Sequence, residues 1–182
     1  KEVITDPDRS ALRILLAIFF WFVGYNAVEA FFTLYAQKHL GLAESDGARL
    51  LGQLSFIFVL MSLPSGYIGA QIGRRKTIMT GLALMFAALT AIASLSIPTL
   101  TQPLTRIPIL GVVPVIGLLL MVGGLAWALV NINSLPMVVH TTGARHLATF
   151  TGLYYLFSTL AAIAGPHING WIIHFPTNNY SS

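Results

Sequence analysis

Gly66-Tyr67-Ile68-Gly69-Ala70-Gln71-Ile72-Gly73-Arg74-Arg75-Lys76 is a short basic turn set between two long apolar runs. Three of the chain's ten Lys and Arg residues fill its last three positions. The turn is too short to fold alone. A bilayer core about 30 Å thick takes about 20 helical residues, and the run on each side is that long. The stretch therefore reads as the turn of a membrane hairpin.

The composition extends this reading to the whole chain. The 182 residues are 55% hydrophobic and 9% charged, where a soluble domain carries roughly 25% charge. So few charges cannot cover a water-facing surface, and lipid needs no such cover. The net charge of +4 sits in short loops between apolar runs, which argues against nucleic-acid binding. There is no cysteine, so disulfides and cysteine-bound metals are excluded. The first apolar stretch is too long for a signal-peptide core and lacks a small-residue cleavage site.

Five segments are long enough to span: residues 12–36, 50–71, 77–97, 109–139 and 147–173. The fourth is over-long, and Pro114 or Pro136 is expected to trim or kink it. Strands of alternating hydrophobicity are lacking, so the expected fold is an all-α polytopic membrane protein, a helical bundle over residues 12–175. Lys and Arg number seven on the side of the amino-terminal tail and the basic turn, against three opposite. By the positive-inside rule the amino terminus is cytoplasmic. Residues 1–11 read as the end of a cytoplasmic linker and 176–182 as an outer tail. The start at Lys1 and the loop-like ending after an outward span suggest a piece of a longer protein.

The basic turn resembles the loop signature of the major facilitator superfamily, roughly G-x-[LI]-[AG]-D-R-x-G-R-[RK]. Gly66, Ile68, Gly69, Gly73, Arg74 and Arg75 match it, while Ala70 and Gln71 replace its Asp and first Arg. The signature lies between the second and third helices of each six-helix half, as it does here. The missing Asp and the linker-like start resemble the carboxyl-terminal half, helices seven to eleven, which implies an absent amino-terminal half as partner. Gly152-Leu153-Tyr154-Tyr155, the run 164–170 and the run 124–131 resemble the eleventh and tenth helices of sugar:cation and sucrose-type proton symporters. The resemblance implies a plasma-membrane transporter that couples a small solute to protons.

Polar residues inside the spans are the site candidates. Glu29 is the one acid well inside a span, with Tyr25 and Asn26 at helical spacing before it. A charge at the bilayer centre costs about 2.5–3.5 kcal/mol, and about a dozen Leu, Ile, Phe and Val residues at about 0.3–0.6 each offset it. Glu29 then reads either as a solute acceptor or proton carrier, or as a satisfied acid near the outer interface. His167 on the fifth span lies at a matching depth, so a Glu29–His167 contact is one expectation; a bond from His167 to a backbone carbonyl is the other. On the fourth span Trp127, Asn131 and Ser134 share a face that Asn133 does not. Asn131 is favoured over Asn133 as a cavity residue, because an aromatic beside an amide suits a sugar. Interhelical packing is its alternative. Gln53, Tyr154 and Ser158 are further cavity candidates.

The polar side chains of the third span are Thr and Ser alone, in keeping with the resemblance, which implies that the third helix supports the bundle from outside while the others line the cavity. His140 and His146 lack metal-ligand spacing, and no P-loop, nucleophile elbow or paired carboxylate occurs. An enzyme, a metal site and a cofactor are therefore not expected. The partners expected are the lipid bilayer, a small-molecule solute and protons. A drug or metabolite efflux antiporter and a non-transporting membrane module are the alternatives.

Overall fold

The computed structural model describes residues 10–142 and 147–177. His146 and the ends of the expected linker and tail lie outside them. Helix α1 is Ser10–Lys38, α2 Glu44–Ile72 and α3 Arg74–Ser94. A one-turn helix α4 (Ile97–Thr101) leads into strands β1 (Pro103–Ile107) and β2 (Gly111–Pro114). Helices α5 (Val115–Thr142) and α6 (Leu147–Thr177) complete the chain. All of these except α4 and the strands are long and apolar enough to cross a membrane. The all-α expectation of five spans holds.

The boundaries differ from the hydropathy pattern in two places. The fourth span begins at Val115, not at 109, because residues 103–114 form an antiparallel hairpin. Prolines 103, 108 and 114 break helical continuation. Pro108 takes the second position of a turn closed by Leu110 N–H to Ile107 O at 3.1 Å, and Gly111 follows at φ +73°. A tight turn followed by a left-handed glycine is a common three-residue hairpin loop. Pro136 stays inside α5 without ending it. The second span starts at Glu44, six residues before its apolar run. Glu44 and Asp46 occupy its first turn, where acids complement the helix dipole, and Asp46 pairs with Arg49 at 2.8 Å.

The chain forms two compact units. One unit is α1 up to Phe31 together with the described residues from Val138 onward. In it α1 and α6 cross at Gly165, where an added Cβ would lie 2.6 Å from the Val23 carbonyl oxygen and 3.2 Å from the Ala27 nitrogen. Small residues allow such close backbone approach between membrane helices. Phe19 meets Phe157, and Phe22 meets Tyr154, both edge-on.

The other unit runs from Phe32 to Met137. Its core is α5, where Leu120 and the run Ala126–Val130 are buried. Gly124 of α5 sits against the Leu54 carbonyl of α2, and Gly81 of α3 against the Ala126 carbonyl of α5. Helix α3 thus packs on α5 through Gly81 with Thr77, Ile78 and Ala88 buried, and leaves Met79 and Phe86 exposed.

Candidate functional site

Three groups of polar side chains stand out. The first is on α1. At 100° per residue, Val23 and Ala27 face α6, so Trp21, Tyr25 and Glu29 project from the opposite side as one stripe. Glu29 is exposed and Tyr25 half-buried. The Trp21 indole N–H is buried with no hydrogen-bond acceptor. Asn26 departs from this stripe: it lies at the α6 crossing, its Cβ 3.4 Å from an added Gly165 Cβ. Its amide donates to the Phe22 carbonyl of its own helix at 2.7 Å.

His167 does not join Glu29. Its Nδ1–H donates to the Ile163 carbonyl at 2.7 Å, and the ring is exposed. Among the described residues the ion pair Arg49–Asp46 is the only one formed. The geometry explains the separation. His167 follows Gly165 by two residues, about 200° around the helix, so it points away from α1 where Gly165 points toward it. On the same helix Tyr154 is buried against Phe22, and Ser158 bonds the Tyr155 carbonyl at 3.1 Å.

The second group lies along α2 and α5. Gln53 is buried, and its Nε2 donates to the carbonyls of Leu110 and Val112, each at 3.0 Å. Both of its donors are thereby spent on the hairpin. Trp127 is buried. One turn later Asn131 is half-buried. Ser134 is buried and bonds the Val130 carbonyl.

The third group is the basic turn. Gly73, at φ +96°, ends α2 and begins α3, a backbone conformation that glycine adopts without strain. Arg74 reaches back to Asn133 Oδ1 at 3.3 Å. Asn133 is fully buried and donates to the Ser65 carbonyl at 3.1 Å and the Leu129 carbonyl at 3.0 Å. Gly69 is buried beside it, while Gly66 lies against Ile132 and Ile68 is exposed. Arg75 is exposed.

Sequence reasoning missed Trp21 and Asn133. The first was legible as an i, i+4, i+8 spacing with Tyr25 and Glu29. Asn133 escapes a face argument centred on Trp127 because it lies on the side of α5 that is turned to the basic turn.

Comparison with protein-family models matches residues 1–166 to the Major Facilitator Superfamily. The chain belongs to that superfamily. Comparisons with curated proteins and with solved structures gave no match. As a major facilitator chain it is a multi-pass membrane transporter of that superfamily, whose members are transporters and not enzymes. Its basic turn occupies the loop where the superfamily's signature was expected, between the second and third spans.

Proposed function

We propose that this chain is part of a secondary active transporter working by alternating access. It couples uptake of a small polar solute, a sugar by resemblance, to protons in the plasma membrane, with its amino terminus cytoplasmic. The observation that carries this is Glu29. It is exposed on α1 and stands in line with Tyr25 and Trp21. Among the described residues it pairs with no cation. An acid within a span marks a solute or proton path by default. In an apolar surround its charge is cancelled by a proton or by a cationic solute. Asn131, half-buried one turn after Trp127, supports a polar solute, since an amide beside an aromatic ring suits a sugar's hydroxyls and its apolar face. A proton or cationic solute at Glu29 also fits the second reading, an efflux antiporter for cationic compounds.

The test is uptake of radiolabelled sucrose, under an inward proton gradient, into proteoliposomes that hold the full transporter containing this chain. Uptake that collapses with a protonophore and is lost in Glu29→Gln supports symport. Gradient-driven efflux of ethidium without sucrose uptake replaces it with the antiporter. Neither flux, in a protein shown to be folded, removes the transport reading.

A further inference from the structure

Helices α2 and α5 meet through two mirrored sockets. Near the start of the pair, the Gln53 amide of α2 fills the space a side chain on Gly117 of α5 would take. Near its end, the Asn133 amide of α5 fills the space a side chain on Gly69 of α2 would take. Sixteen residues separate Gln53 from Gly69, and sixteen separate Gly117 from Asn133. At 1.5 Å per residue the sockets stand about 24 Å apart on both helices. Between them Gly124 presses on the Leu54 carbonyl and lies by the Phe58 nitrogen, and Gly66 meets Ile132.

Equal spacing matters because a single pin lets two helices pivot, whereas two pins in register oppose pivoting and sliding alike. A slip by one turn in one sense would set Met121 against Gln53 and Ser65 against Asn133, and in the other it would carry Gly117 off Gln53 and bring up Val113 of the hairpin. Each amide also holds something outside the helix pair. Gln53 binds the hairpin carbonyls of Leu110 and Val112, and a two-stranded hairpin is marginal when left alone. Its Oε1 is buried with no hydrogen-bond partner and lies in the space that a Cβ on Gly117 would take. Asn133 accepts from Arg74 of the basic turn.

We propose that α2 and α5 form one rigid body, pinned by the Gln53–Gly117 and Asn133–Gly69 sockets, that carries the 103–114 hairpin at one end and the Arg74 turn at the other. The two ends then move together in any conformational change, whatever the solute. Gln53 and Asn133 are positioning residues in this device.

The chain's lack of cysteine makes the test clean. Nitroxides are placed at exposed Leu63 on α2 and Leu118 on α5 through Leu63→Cys and Leu118→Cys. Their separation is measured by double electron–electron resonance in nanodiscs of phosphatidylcholine and phosphatidylglycerol, at pH 5.5 and pH 8. One narrow distance, the same at both pH values, is expected. A broad or two-peaked distribution in this otherwise unaltered chain overturns the proposal, and no core variant is needed to see it. Gln53→Leu is expected to broaden the distribution. If it folds and the distribution stays narrow, the sockets are not what makes the pair rigid. The same substitutions with Gly66→Cys and Ile132→Cys, cross-linked as a disulfide before labelling of the other two sites, are expected to narrow it again; failure to narrow also counts against the proposal.

Discussion

Asn133 Oδ1 occupies the space that a side chain on Gly69 would fill, so the glycine on α2 is what admits the amide on α5. The consequence reaches the basic turn. Ala70 stands where an acid is usual in the signature, and Arg74 instead reaches a neutral amide oxygen at 3.3 Å. Guanidinium–carboxylate bonds are shorter, about 2.7–2.9 Å, and the amide oxygen carries no countercharge for the guanidinium. The turn is therefore held by shape and by a buried amide more than by charge.

Gly69→Ala should lower stability by about 1–3 kcal/mol, the usual cost of overpacking. Asn133→Ala in the same chain removes the colliding group, so the double variant should recover part of the loss despite giving up the amide's bonds. Thermal unfolding of the detergent-purified protein measures both. Additive losses would show that the two residues do not share a socket.

Asn133→Asp should destabilise as well, although it restores an acid near Arg74. A carboxylate cannot donate to the Ser65 and Leu129 carbonyls, which the amide now satisfies, and it would face both as like partial charges. Losing buried donors costs about 1–3 kcal/mol for the groups left unpaired, and Arg74 is only part-buried, so the new ion pair returns about 0–1 kcal/mol. A lower unfolding temperature at neutral pH is the expected result; a higher one would mean that charge governs the turn.

Much of this was visible in the chain itself. Apolar run length located every span, and the spacing of Gly66, Gly69, Gly73 and Arg74 marked the turn and its family. The hairpin was hidden because Ile107, Ile109, Leu110, Val112 and Val113 are as apolar as a helix, and only Pro103, Pro108, Gly111 and Pro114 announce it. Facing relations were legible where one face is buried and illegible on α5. There both Asn133 and Ser134 are fully buried, so a face argument could not separate the amide that packs from the one that does not. The separation of His167 from Glu29 depended on the close approach at Gly165, and depth along the span carries no information about rotation.

Gly165 and Gly152 on α6 offer a matched comparison. An added Cβ at Gly165 would meet backbone atoms of α1, which cannot turn aside, whereas nothing lies within 4 Å of one at Gly152. Gly165→Ala should therefore cost about 1–3 kcal/mol through overpacking. Gly152→Ala should be neutral or gain up to about 1 kcal/mol, because alanine is the better helix former. Unfolding temperatures of the two variants, read side by side, test the α1–α6 crossing directly.

Glu29 and His167 should separate in function as they do in space. Glu29→Gln removes the acid on the Trp21–Tyr25 stripe and should reduce proton-driven sucrose uptake by about tenfold or more, as expected for an acid within a transport path. His167→Gln alters an exposed ring that bonds only the Ile163 carbonyl of its own helix. It should leave uptake within about twofold, in keeping with the small effects of surface substitutions. Initial rates in proteoliposomes at one fixed pH gradient compare the two. Equal losses in both variants would place His167 in the proton path after all, in a conformation where α6 is turned about its axis relative to the one described here.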